Sequence, residues 1–108
     1  MKLEKSILRV FEVRAKPGNG EALKRKLSDT SVTVVDGKPG NLGYFFGKVL
    51  CANQDDFIFV SMWKDLESIK ALFGEHWEQS FLPEGYAELI ESCSIKHIEV
   101  EGRFESTE

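Results

Sequence analysis

Cysteine and proline are both scarce, with two Cys and three Pro in 108 residues. Cys51 and Cys93 are far apart and form no C-x-x-C pair, so the chain offers neither a disulfide framework nor a cysteine-based metal site. Free thiols in a cytoplasmic protein are the expectation. An excess of positive charge is missing too. Fourteen basic and eighteen acidic residues leave a net charge of -4, and no basic stripe is present to neutralise the phosphates of a nucleic acid. The longest run dominated by apolar residues, FIFVSMW at 57–63, falls far short of the roughly 20 residues a membrane-spanning helix needs. The N-terminal segment MKLEKSILRVFEVR carries charge throughout and has no apolar centre or small-residue cleavage site, so it is not expected to be a signal peptide. The phosphate-binding spacings G-x-G-x-x-G and G-x-x-x-x-G-K are absent, as is H-x-x-x-H. PGNG and KPGNLG are turn chemistry. His76, His97 and a cysteine show no metal-ligand spacing. The chain is therefore expected to bind no nucleic acid, membrane, metal or resident cofactor.

What is present is enough to fold. Apolar residues make up 42% of the chain and aromatic residues 11%. A domain of about this length buries roughly 65% of its unfolded surface, which builds a core without metal or disulfide staples. The whole chain, 1–108, is expected to form one domain with its core at about 6–100 and a frayed tail at 104–108.

SILRVFEVRA (6–15) is rich in β-branched and aromatic residues and reads as the first strand. KPGNG (16–20) breaks it. In EALKRKLSDTSVTVV (21–35), Leu23, Leu27, Val34 and Val35 share one helical face bordered by Ala22. SVTVV alone has strand character, but no turn signal cuts it off, so the helix is expected to run to about Val34. After a loop at 36–43, YFFGKVLCA (44–52) is the second strand, with Gly47 as a candidate bulge. NQDD (53–56) turns the chain into FIFVSMW (57–63), the third strand of a hairpin. DLESIKALFGEHW (65–77) is the second helix, with Leu66, Ile69, Leu72 and Phe73 on one face and Asp65 as its cap. Residues 78–92 read as loop with a short helix, and CSIKHIEVEGRF (93–104) as the fourth strand.

The order β-α-β-β-α-β implies the α+β, ferredoxin-like split βαβ arrangement with a four-stranded antiparallel sheet. Two helices on one face leave the other face bare. Strand three nevertheless alternates Phe57, Phe59, Ser61 and Trp63 with Ile58, Val60 and Met62, so both of its faces are apolar, unlike a strand with one solvated side. No third layer exists in the sequence. A second copy of the sheet, related by a two-fold axis, is the expected cover. Cys51 and Cys93 would lie on strands at opposite sheet edges, beyond the roughly 7 Å reach of a disulfide.

Three blocks, FEVRAKPGNGEAL, PGNLGYFF and FIFVSMWKDLESIKALFGEHW, resemble the antibiotic biosynthesis monooxygenase domain family of the dimeric α/β-barrel group. In the third block a strand ends in Trp63, an acidic turn follows, and an amphipathic helix begins. The resemblance, over about 6–100, implies a ferredoxin-like dimer with a pocket between sheet and helices. Some members oxidise aromatic polyketide intermediates with molecular oxygen and no flavin or metal. Others degrade haem or oxidise quinols. The haem-degrading members use an Asn on strand one, a Trp in the second helix and a downstream His. Here strand one has no Asn, the helix position reads Leu72, and SFLPEG occupies the place of the ligand.

Cofactor-free oxygenation needs a base, a donor for a developing oxyanion and a dry aromatic wall. His76, beside Trp77, is the candidate base, since imidazole titrates near neutral pH. Trp63 is the second candidate, as an indole N–H donor at the end of strand three. Phe11, Phe59, Phe73, Trp77 and His97 are candidates for lining a pocket for a small hydrophobic or aromatic ligand. Tyr44 and Tyr86 offer hydroxyl groups. The expected function is a cofactor-independent monooxygenase acting on an electron-rich aromatic or quinol. The alternatives are a non-catalytic binding or sensing module, or an isomerase or cyclase on the same barrel.

Overall fold

A computed structural model describes residues 6–50 and 53–107. Four strands, β1 (Ile7–Ala15), β2 (Asn41–Lys48), β3 (Asp56–Trp63) and β4 (Ile90–Glu99), form one sheet in the order β2-β3-β1-β4. Every neighbouring pair is antiparallel. This is the ferredoxin-like topology expected from the element order. Helical segments cover one face. Between β1 and β2 the chain runs as α1 (Gly20–Lys26), a π-helical turn (Leu27–Ser31) and α2 (Val32–Val35). Between β3 and β4 lie α3 (Leu66–Phe73) and short 3-10 turns at Gly74–His76 and Ala87–Leu89. The smallest extent, 20 Å, is that of two layers. No helix among the described residues is long and apolar enough to cross a membrane.

The core sits between the layers. Val13 and Ala15 from β1, Phe57, Phe59 and Trp63 from β3, and Leu23, Leu27, Val35 and Ile69 from the helices pack together with Tyr86 and Ile90. The SVTVV segment is helical, as expected, and Val35 seals that end of the core. A π turn interrupts the expected continuous helix and carries Ser31 at its end. Asp65 caps α3: its Oδ1 accepts hydrogen bonds from the Ser68 amide at 2.9 Å and the Ser68 hydroxyl at 2.7 Å.

Several boundaries differ from expectation, each for a local reason. α3 stops at Phe73 because Gly74 takes φ +76°, a left-handed helix end that returns its amide to Lys70. The histidine that follows is thus in a separate turn. β2 begins at Asn41 and not at residue 44. Leu42 is an extra residue between Asn41, opposite Trp63, and Gly43, opposite Met62. The bulge is therefore at Leu42, and Gly47 pairs regularly with Ile58. β4 is an edge strand, so β1 alone sets its length. It runs from Ile90, opposite Ala15, to Glu99, opposite Ile7. EGRF follows the strand, with Phe104 exposed and Arg103 reaching the Met62 sulfur on β3 at 3.9 Å. Cys93 is a free, exposed thiol on β4, whereas Cys51 lies outside the described residues.

Deleting the buried Leu23 side chain should cost about 2–5 kcal/mol, because a fully enclosed cavity would remain. Asp65→Ala should destabilise by less, through the lost cap. Urea unfolding should report both as shifts in midpoint at constant slope.

Candidate functional site

On β1 the residues facing the helices are Ile7, Arg9, Phe11, Val13 and Ala15. All are apolar except Arg9, which is nevertheless only 4% exposed. Burying a guanidinium in an apolar layer is costly unless its donors are met. The fold meets them mainly with backbone. One terminal nitrogen donates to the carbonyl of Trp77 at 2.6 Å and to His97 Nε2 at 3.0 Å, and the other donates to the carbonyl of Gln79 at 3.1 Å. The guanidinium carbon lies over the Phe73 ring, 3.8 Å from its centroid. Among the described residues no carboxylate pairs with it. Desolvation lowers its pKa to about 10, so the charge persists at neutral pH.

Arg9 forms part of the wall of a cavity between the sheet and the helical layer. Phe11, Phe59, Ser61 and Ile95 line it from the sheet, and Ser31, Val34, Val35 and Phe73 from the helical layer. Phe81, Pro83 and Tyr86, from the segment before β4, close it. The space open to the centre of a water-sized sphere is about 50 Å³, enough for a few waters at roughly 10–15 Å³ each. Phe81 is 51% exposed and stands edge-on to Phe73 at 5.7 Å.

The polar groups on the wall are ordered by one another. Tyr86 is 1% exposed, and its hydroxyl donates to the Lys26 carbonyl at 2.9 Å. A phenol has one proton, so the 2.7 Å contact with Ser31 has the serine as donor. Burial, first of all, raises the pKa of Tyr86, which keeps it a neutral phenol. Ser61, 2% exposed, accepts the indole N–H of Trp63 at 2.8 Å.

Of the residues singled out in the sequence, Phe11, Phe59 and Phe73 lie on this wall. Trp63 is fully buried beneath it, edge-on to Phe73 at 6.4 Å, with its N–H committed to Ser61. Trp77 and His97 sit behind Arg9, ring against ring at 5.0 Å. His76 is elsewhere: its side chain is 73% exposed, and its ring nitrogen stands 3.9 Å from Glu75. Neither histidine lines the cavity, so no imidazole is placed there to ligate a porphyrin metal. No cluster of three His, Cys, Asp or Glu that could hold a metal occurs among the described residues. Arg9, Ser31, Ser61 and Phe81 were not singled out. Arg9 and Ser61 did leave a signal, since each interrupts an otherwise apolar strand face.

The antibiotic biosynthesis monooxygenase family model matches residues 6–80. No curated protein matches the sequence significantly. Solved structures do. PA3566 from Pseudomonas aeruginosa is 18% identical with a TM-score of 0.72, the match covering 94% of this chain and 100% of that one. A Deinococcus radiodurans protein, named as a candidate antibiotic biosynthesis monooxygenase, is 14% identical with a TM-score of 0.73, covering 94% and 99%. MhuD, solved as a point mutant with two manganese protoporphyrin IX bound per active site, is 18% identical with a TM-score of 0.68, covering 93% and 99%. At these identities the likeness establishes the fold alone.

His97 gives the site a pH dependence. Burial first, and then the charge of Arg9, lower its pKa, with Glu78 opposing. The unfolded chain therefore takes up a proton at its ordinary value of about 6.5, before the folded chain does. This contribution to stability is complete above that pH and declines as pH falls below it, down to the folded value. Thermal unfolding should show Tm decreasing from pH 7 toward 5, and His97→Gln should flatten that slope. Asp56 and Asp65, whose pKa values are lowered by hydrogen bonds from Arg14 and Ser68, add their losses only below about pH 4.

Proposed function

The chain belongs to the antibiotic biosynthesis monooxygenase family, and on that premise we propose that it oxidises a small electron-rich aromatic or quinol-type molecule with molecular oxygen, without a resident cofactor. The observation that supports this reading is the cavity wall. Phe11, Phe59 and Phe73 surround a space whose wall includes the buried, charged Arg9. Such a wall suits a planar ring whose ionised form is electron-rich. The aromatic groups exclude water, and the cation stabilises the anion that passes an electron to oxygen. The cavity-lining residues include no carboxylate, imidazole or thiol, so the ring gives its proton to solvent water and binds as the anion, its pKa lowered by the nearby charge. The scheme assigns no step to His76, whose side chain is 73% exposed.

That same lack of a base on the wall favours one alternative, a binding or sensing module that returns its ligand unchanged. Oxygen consumption with a panel of hydroquinones and acidic phenols separates the two. The expected result is saturable uptake that His76→Ala leaves within about twofold and Arg9→Gln lowers by about ten- to a hundredfold. Ligand retained but chemically unaltered under air would establish the binding module. Turnover under anaerobic conditions would instead establish an isomerase or cyclase.

The reading extends to a homodimer through the open sheet face. Val10 and Val60 are 8% and 5% exposed at its centre, flanked by half-buried Leu8, Ile58 and Met62. At its margins Phe45 is 59% exposed and Ile98 is 41% exposed. This apolar centre, bordered by the Lys96–Glu12 ion pair beside Val10, supports a contact with a second copy. Sedimentation at micromolar concentration should give a dimer, and Phe45→Glu with Ile98→Glu should give a folded monomer. A monomeric parent would refute the face-to-face arrangement.

A further inference from the structure

Arg9 and Ser61 are direct partners across the β1–β3 ladder. Both are buried, at 4% and 2% exposure, and both line the cavity. Their donors are not fully used. A guanidinium has five N–H groups, and the Trp77 carbonyl, the Gln79 carbonyl and His97 take three. Ser61 receives the Trp63 N–H on its oxygen, which leaves its own proton without an acceptor among the described residues. Ser31 and Tyr86 differ, since both of their protons are committed, one to Tyr86 and one to the Lys26 carbonyl. The uncommitted donors of the wall are therefore concentrated at one cross-strand pair.

We infer that Arg9 and Ser61 form an oxyanion-binding pair, and that the ligand of the cavity is a small aromatic molecule carrying a negatively charged oxygen, a carboxylate or an ionised phenol. This rests on the reading of the cavity as an aromatic site. Two arguments support it. Buried donors seek acceptors, and an anionic oxygen is acceptor-only, matching the uncommitted N–H groups of Arg9 and the uncommitted proton of Ser61. A buried cation with no carboxylate partner among the described residues gains most from a ligand that brings the opposite charge. Phe73 packs against the guanidinium carbon at 3.8 Å, and two of the five N–H groups remain for a ligand. Trp63 is a positioning residue: by occupying the lone-pair side of Ser61 it turns the hydroxyl proton away from itself. Phe11 and Phe59 supply the ring contacts.

Titration of the full chain with benzoate and with benzamide, its uncharged counterpart of nearly equal shape, tests the pair. Benzoate should bind about ten- to a hundredfold tighter at pH 7. Ser61→Ala, which removes one oxygen, and Arg9→Gln should each weaken benzoate more than benzamide and so reduce that preference. Ser61→Ala keeps the test open if Arg9→Gln fails to fold. 4-Nitrophenol, titrated above and below its ionisation, identifies which anion is preferred. Equal binding of benzoate and benzamide would overturn the oxyanion pair and leave the aromatic cavity standing. Failure of both to bind at millimolar concentration would overturn both readings.

Discussion

A guanidinium enclosed by apolar side chains must find acceptors or the layer around it does not form. The arrangement above the sheet follows from how Arg9 finds them. Two of its acceptors are carbonyls of Trp77 and Gln79, so the chain leaving α3 must pass directly over the middle of β1. Having passed there, it delivers Phe81, Pro83 and Tyr86 to the far side and closes the cavity. The third acceptor, His97, must stay neutral to accept, and its half-buried position between Arg9 and Trp77 keeps it so. One charged side chain thus couples the central strand, an edge strand and the connection between them.

The remaining polar groups follow the same accounting. Tyr86 is held by the Lys26 carbonyl and Ser31, which ties the closing segment to the helical layer at the π turn. π turns occur often at functional sites, and this one places Ser31 on the cavity wall. Trp63 spends its only donor on Ser61. Its indole therefore contributes volume to the core and orientation to a neighbour, with no proton left for a ligand. The consequence is a cavity whose shape is set by aromatic packing and whose polarity is concentrated at one place.

The secondary structure was largely readable from the chain because it rests on local patterns. Alternation over β1 and β3, the 3–4 spacing of Leu66, Ile69 and Phe73, and the Asp65 cap are each decided within a few residues. The boundary errors arose where a distant partner decides. The start of β2 depends on pairing across a bulge with Trp63, and the ends of β4 depend on the length of β1. His76 drew attention as the residue with suitable titration beside aromatic neighbours. Its exposure depends on Gly74 ending the helix two residues earlier, which directs the turn toward solvent.

From the sequence alone came the element order, the ferredoxin-like class, the aromatic character of the site and the two-sided apolarity of strand three, because hydrophobic periodicity and turn chemistry are local. The tertiary structure decided which polar groups matter. Arg9 and Ser61 lie 52 positions apart and become a pair only through the antiparallel register of β1 and β3. The commitment of one hydroxyl and the freedom of another depend on where its neighbours' hydrogens go. Such accounting spans elements far apart in the chain, so no local pattern encodes it.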